Sequence, residues 1–231
     1  MSNNMMRRGA SILAAVAVAA GGLAVGAGTA NATGSSGPGS SAPPCAPEGA
    51  QLACDDGQFY EVEKAGNIRL AYHGPDEAVL GQEIAFTSEF EAGDSDYQDV
   101  QPEVAIASVT HHAPRGFEFT GATVTAAKYE LYPATSVFTP LEATVVVDPV
   151  TGDVTVTAPA GGWAAPKTET NNGILTGTVV VKLAYKATEL VSDGTSGVTF
   201  TGTDVPASEG WMAAGTTKVV PVDLGGFGSL S

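Results

Sequence analysis

The sequence predicts an all-β fold in which about nine short strands form two antiparallel sheets packed face to face. Three observations carry this. Apolar residues recur at every second position in run after run, the period of a strand with one buried side. The residues filling those runs are valine, threonine, tyrosine and phenylalanine, which fit a pleated surface. The runs are separated by Gly-, Pro- and Asp-rich clusters, and 29 glycines and 14 prolines in 231 residues interrupt most helix-length windows beyond the N-terminal stretch. A closed barrel is the competing architecture, because closure also removes sheet edges.

Taken in order, "NIRLAYH" places Ile68, Leu70 and Tyr72 on one side. "QEIAFTSEF" does the same with Ile84, Phe86 and Phe90, and "EVAIASVT" is a half-apolar run ending near Val109. "ATVTAAKYELY" is β-branched at first and then carries Tyr129 and Leu131. "EATVVV" and "DVTVT" flank "DPVTGD", a connector with the residues of a hairpin turn. "GTVVVKLAYKA" alternates most cleanly, with Val179, Val181, Leu183 and Tyr185 opposed to Thr178, Lys182 and Lys186. "GVTFTG" and "TKVVPVDL" complete the set.

This strand-rich region is expected over residues 59–224 as a single domain. Ahead of it, "MSNNMMRRGA", the small-residue apolar run Ile12–Val25 and Ala30-Asn31-Ala32 have the order of a secretory signal, assigned to residues 1–32. The apolar run is fourteen residues long, short of the ~20 that a membrane span needs. Residues 33–58 begin with "TGSSGPGSSAPP", a composition that buries nothing and reads as a tether. Cys45 and Cys54, the two cysteines of the chain, are expected to pair there in an oxidising compartment. Residues 225–231 form a glycine-rich tail. No transmembrane segment is expected in the mature chain.

The net charge is −15 and becomes −17 once Arg7 and Arg8 leave with the signal. A chain so acidic lacks the basic footprint of a nucleic-acid binder and is repelled by anionic lipid.

Few residue patterns point to chemistry. In "VTHHAPRGFEF", His111 and His112 are adjacent. Neighbouring side chains of a strand point to opposite faces, so the two cannot readily share one ion. "APRG" fits a turn with Pro114 second and Gly116 fourth, and at least one imidazole is expected in water. A zinc site would need His73, the remaining histidine, and a carboxylate, without any ligand spacing to support it. "EFEAGDSDYQD" clusters Asp94, Asp96 and Asp99 and could offer oxygens to calcium, although it departs from the EF-hand pattern. The expectation is no cofactor, with calcium as the exception to test. No G-x-S-x-G, H-E-x-x-H, S-x-x-K or phosphate loop occurs. Trp163 and Trp211 sit in "GGWAAP" and "EGWMAAG"; each either plugs one end of the sandwich or stands exposed as a partner contact.

"LGQEIAFTSEFEAGD" (80–94), "VTHHAPRGFEFTGATVT" (109–125) and "GILTGTVVVKLAYKA" (173–187) together resemble the immunoglobulin-like modules of bacterial surface and adhesin proteins. The resemblance implies an immunoglobulin-like sandwich and a strand-then-turn reading of the histidine pair. Some such modules carry an internal isopeptide bond from lysine. Lys128 and Lys182 fall on outward positions here, so that bond is not carried over. The signal, the tether, the single all-β domain and the missing catalytic motifs lead to the expectation of a non-enzymatic module, secreted or held at the cell envelope, whose partner is an extracellular protein or an envelope component. Two alternatives remain. One is a secreted hydrolase using a metal or carboxylates near His111, His112 and Asp94 to Asp99. The other is a carrier or oligomeric pore built on a barrel, disfavoured by Lys182 and Lys186 on the outer side of the strongest strand.

Overall fold

A computed structural model describes residues 57–93, 103–131, 134–205 and 210–222. These contain fifteen strands and no helix. In chain order they are β1 (Gln58–Ala65), β2 (Ile68–Pro75), β3 (Glu77–Val79), β4 (Glu83–Ala92), β5 (Ala105–His112), β6 (Phe117–Leu131), β7 (Ala134–Pro140) and β8 (Thr144–Val147). Then follow β9 (Val154–Thr157), β10 (Trp163–Ala164), β11 (Lys167–Thr170), β12 (Gly173–Thr176), β13 (Thr178–Ala187), β14 (Val191–Gly202) and β15 (Ala213–Val220). The signal, most of the tether, Cys45, Cys54 and the tail lie outside the described residues.

Six strands form one sheet in the order β1-β2-β4-β13-β6-β7. Seven form a second in the order β3-β15-β14-β5-β9-β8, with β10 also on β5, and β11-β12 is a separate ribbon. The pairings are antiparallel except that of β15 with β3, which is parallel. Both large sheets are open, ending on β1 and β7 and on β3 and β8, so neither is a closed barrel.

Alternation explains the core. Ile68, Leu70 and Tyr72 of β2, Phe86 and Phe90 of β4, and Val179 to Tyr185 at odd positions of β13 are all fully buried, while Lys182 and Lys186 are exposed. The second sheet answers with Val109, Val154, Val156, Val198, Phe200 and Val219. The two inner faces meet directly: the rings of Phe90 and Phe200 pack edge to face with centroids 4.9 Å apart, a favourable aromatic geometry.

The expected nine strands become fifteen because the additions carry little core of their own. β1 pairs with β2 across its whole length, yet alternates charged residues with apolar ones along a sheet edge. β7 is also an edge strand, with Val137 and Phe138 exposed. β3, β10, β11 and β12 have two to four residues each, too short for periodicity to register. The hairpin expected at "DPVTGD" forms: β8 pairs with β9, and the Asp148 carboxylate accepts from the amides of Val150 (2.7 Å) and Thr151 (3.2 Å).

Candidate functional site

β5 lies inside the second sheet, between β14 and β9, and it decides the fate of both histidines. Its pairing with β14 slips between Thr201 and Gly202, a bulge that adds one unpaired residue at Ala107. The phase of alternation changes there. Ile106 faces the core, and three residues later Val109 does too, followed by His111. His112 therefore points out. A one-residue change of phase exchanges every side chain between faces, so the bulge selects which imidazole enters the core. The turn after it forms one residue later than expected, centred on Arg115 and Gly116 rather than on Pro114 and Arg115, because Gly116 at φ 85° takes a conformation that glycine adopts without strain.

His111 is completely buried. Its Nε2 lies 2.9 Å from the Tyr72 hydroxyl and its Nδ1 lies 2.7 Å from the Tyr185 hydroxyl. The Tyr72 hydroxyl also lies 2.6 Å from Ser196 Oγ, and Ser196 donates to the carbonyl of Gly215 at 3.4 Å. Tyr72 and Tyr185 belong to the six-stranded sheet, His111 and Ser196 to the other. One proton arrangement satisfies every donor in this chain. Tyr185 donates to Nδ1, Nε2–H donates to Tyr72, Tyr72 donates to Ser196, and Ser196 donates to Gly215. The imidazole is then neutral, protonated at Nε2. Burial pushes its pKa down to about 3, and neighbouring His112 acts in the same direction. Burial raises both tyrosines well above the usual phenol range. Phe86 packs beside the imidazole with ring centroids 5.0 Å apart.

This constellation has the residue types of acid–base chemistry but not the access. Tyr72, Tyr185, His111 and Ser196 each have no exposed surface, so a substrate atom cannot come within the ~3 Å that proton transfer requires. What the chain of hydrogen bonds does is join the two sheets through satisfied polar groups and fix how they align.

His112 occupies a different setting. Its Nδ1 lies 3.0 Å from Asp153 Oδ2, and its Nε2 lies 3.5 Å from Thr199 Oγ1. Trp211 lies nearly parallel to it, with centroids 5.0 Å apart and planes 12° apart. The indole also covers Gly197, the cross-strand partner of His112; a Cβ there would meet Trp211 Cε3 at 2.2 Å. Trp211 nevertheless keeps 48% of its surface in solvent. Further along the same face two hydroxyl pairs bridge the strands, Thr110 with Thr155 (3.0 Å) and Ser108 with Thr201 (2.8 Å).

Trp163 takes the other expected role. It is buried and donates its indole N–H to the Glu142 carbonyl at 2.8 Å.

His73 projects from the opposite side of the six-stranded sheet, with Nε2 3.5 Å from Glu89 Oε1. The three histidines thus lie in three separate environments. Among the described residues no group of three or more His, Cys, Asp or Glu side chains is placed to hold an ion. Asp94, Asp96 and Asp99 lie outside the described residues. The partners that the sequence did not single out are Tyr72, Tyr185, Ser196, Asp153 and Thr199. A signal existed for the first two, because inward tyrosines on two strands need hydrogen-bond partners.

No protein family matches this chain, and no curated protein matches it. Among solved structures it is similar to the N-terminal domain of the Streptococcus gordonii adhesin Sgo0707, with TM-score 0.39 and 11% identity, covering 72% of this chain and 33% of that one. It is also similar to AvmM, which catalyses macrocyclization in alchivemycin A biosynthesis, with TM-score 0.27 and 11% identity over 71% of this chain and 89% of that one. The chain thus spans about a third of the adhesin chain's length. Likenesses this distant do not bear on function, and the two proteins themselves differ in it.

Proposed function

We propose that this chain is an exported, non-enzymatic β-sandwich module of immunoglobulin type that binds or builds at the cell exterior, its partner an extracellular protein or an envelope component. One observation carries the non-enzymatic part: the residues best suited to catalysis are already committed. His111 is sealed between Tyr72 and Tyr185. His112 is held by Asp153 and stacked on Trp211. The apolar, small-residue N-terminus supports export.

Two measurements test the proposal together. Cell fractionation is expected to find the protein outside the cytoplasm, without residues 1–32. Purified protein, offered ester, peptide, glycoside and phosphoester substrates with zinc, with calcium or with chelator, is expected to show no turnover. Retention of uncleaved protein in the cytoplasm overturns the export half. Turnover that survives purification and falls with His112→Ala or with chelation overturns the non-enzymatic half.

A further inference from the structure

We propose that the outer face around Trp211 and His112 is a binding site for a neutral carbohydrate chain. The inference deepens the binding reading above and rests on it only in taking the site to bind rather than to react.

The first argument is the shape of the platform. Trp211 lies flat on the sheet because Gly197 beneath it has no side chain. His112 stacks against the indole, and Asp153 and Thr199 hold His112 through its two nitrogens. The ring is thereby fixed while about half of its surface stays in water. An aromatic ring fixed before binding loses little entropy when a ligand lands on it. A pyranose offers what such a surface accepts, a face of C–H groups ringed by hydroxyls.

The second argument is what surrounds the platform. The outward positions of β5 and β14 nearest to it, with Thr155 of β9 and Asp153 just ahead of that strand, are serine, threonine, histidine, aspartate and glycine; aliphatic side chains stand only at the margin, Ala214 of β15 opposite Gly197 and Val146 of β8 opposite Thr155. Each hydroxyl of the two bridging pairs both donates and accepts, so it keeps capacity beyond its partner. Asp153 gives one oxygen to His112 and keeps the other as an acceptor. Sugar hydroxyls fit this lining. A protein hot spot wants an apolar centre, which these positions do not supply.

Charge removes the remaining aromatic-stacking ligands. Nucleic-acid bases also stack on exposed indoles, but those sites add a basic groove for phosphate. Here, among the described residues, Asp153 holds His112 and the Glu61 carboxylate accepts from the amide of Ala214, the cross-strand partner of Gly197; both are acidic, and the whole chain carries −15. Anionic sugars are repelled on the same ground. The hydroxyl pairs Thr110–Thr155 and Ser108–Thr201 carry the polar face along the strands beyond Trp211, so an extended chain suits it better than a single ring. The expected affinity is modest, with Kd on the order of 0.1–1 mM.

The test uses the full mature chain and a panel of neutral hexasaccharides of glucose, mannose and N-acetylglucosamine with different linkages, plus sialyllactose as the anionic comparison. Binding is read from the Trp211 indole N–H resonance and from tryptophan emission, with buried Trp163 as internal reference. At least one neutral oligosaccharide is expected to shift the Trp211 signals and leave those of Trp163 in place, and sialyllactose is expected to shift neither. Trp211→Ala is expected to weaken binding at least about tenfold. Gly197→Ala is expected to do the same while retaining every ring, because its Cβ lifts the indole. No shift of the Trp211 resonance up to about 10 mM of any neutral sugar, or binding that survives both substitutions, overturns the proposal. So does a Trp211 shift produced by peptides alone. Failure here without turnover leaves the non-enzymatic module intact. Hydrolysis of a sugar bound at Trp211 overturns that reading and supports this site.

Discussion

Tyr185 of one sheet donates its hydroxyl to Nδ1 of His111 in the other across 2.7 Å, and neither side chain has any exposed surface. The sheets are therefore joined by a directional polar contact inside an otherwise apolar core. His111→Ala removes the ring and leaves two tyrosine hydroxyls short of a partner. Cavity and orphaned donor act together, and the loss expected in urea unfolding is about 3–5 kcal/mol. His111→Gln offers an acceptor and a donor at similar reach and is expected to restore part of it. A loss below about 1 kcal/mol for the alanine variant contradicts a clamp between sheets.

Stability should depend on pH through the same ring. Folding lowers the His111 pKa from its usual 6.5 to about 3, so between those values the unfolded chain binds a proton that the folded chain refuses. Stability thus falls as pH drops from about 6.5 toward 3, by up to about 1.4 kcal/mol per pH unit from this group, and the group has no effect above that window. Carboxylates titrate in part of the same range, so the informative quantity is the difference between the wild type and His111→Gln. The variant is expected to show the shallower slope. Equal slopes contradict the neutral buried imidazole.

The two tyrosines should not be equivalent. Tyr72 stands mid-chain, accepting from Nε2–H and donating to Ser196. Tyr72→Phe leaves the buried imidazole N–H unpaired, at an expected cost of about 2–3 kcal/mol. Tyr185 is a terminal donor, and Tyr185→Phe leaves only an unfilled acceptor, at about 1 kcal/mol. Reversal of this order in chemical denaturation requires the opposite proton direction, with Nδ1 protonated.

Surface charge should matter far less. Arg69 and Glu91 pair at 2.7 Å on the outer side of the six-stranded sheet, with side chains 21% and 25% exposed. Arg69→Met is expected to cost under about 1 kcal/mol, and less at high salt. A loss rivalling that of His111→Ala would move the organising interaction out of the core.

Much of this arrangement is legible in the residues themselves. Alternation in "NIRLAYH", "QEIAFTSEF" and "GTVVVKLAYKA" assigns the inner face correctly, residue by residue. "THH" followed by "APRG" also shows that the two imidazoles part ways. Which of them goes inside is not written locally, because the bulge at Ala107 arises from pairing with β14, ninety residues further along the chain. The Trp211 shelf is hidden for the same reason: Gly197 of β14, His112 at the end of β5 and Asp153 just ahead of β9 meet only through the sheet register. Edge strands such as β1 and β7 escape notice because they bury too little to show a period.

The most direct test is the imidazole spectrum of His111 in folded protein labelled with nitrogen-15, followed from neutral pH to about pH 4.5. A single neutral ring protonated at Nε2, unchanged throughout while the protein stays folded, is the result expected of a clamp sealed between sheets. An Nδ1–H tautomer, or a ring that takes up a proton near pH 6 without unfolding, contradicts it and returns His111 to the list of candidate catalytic groups.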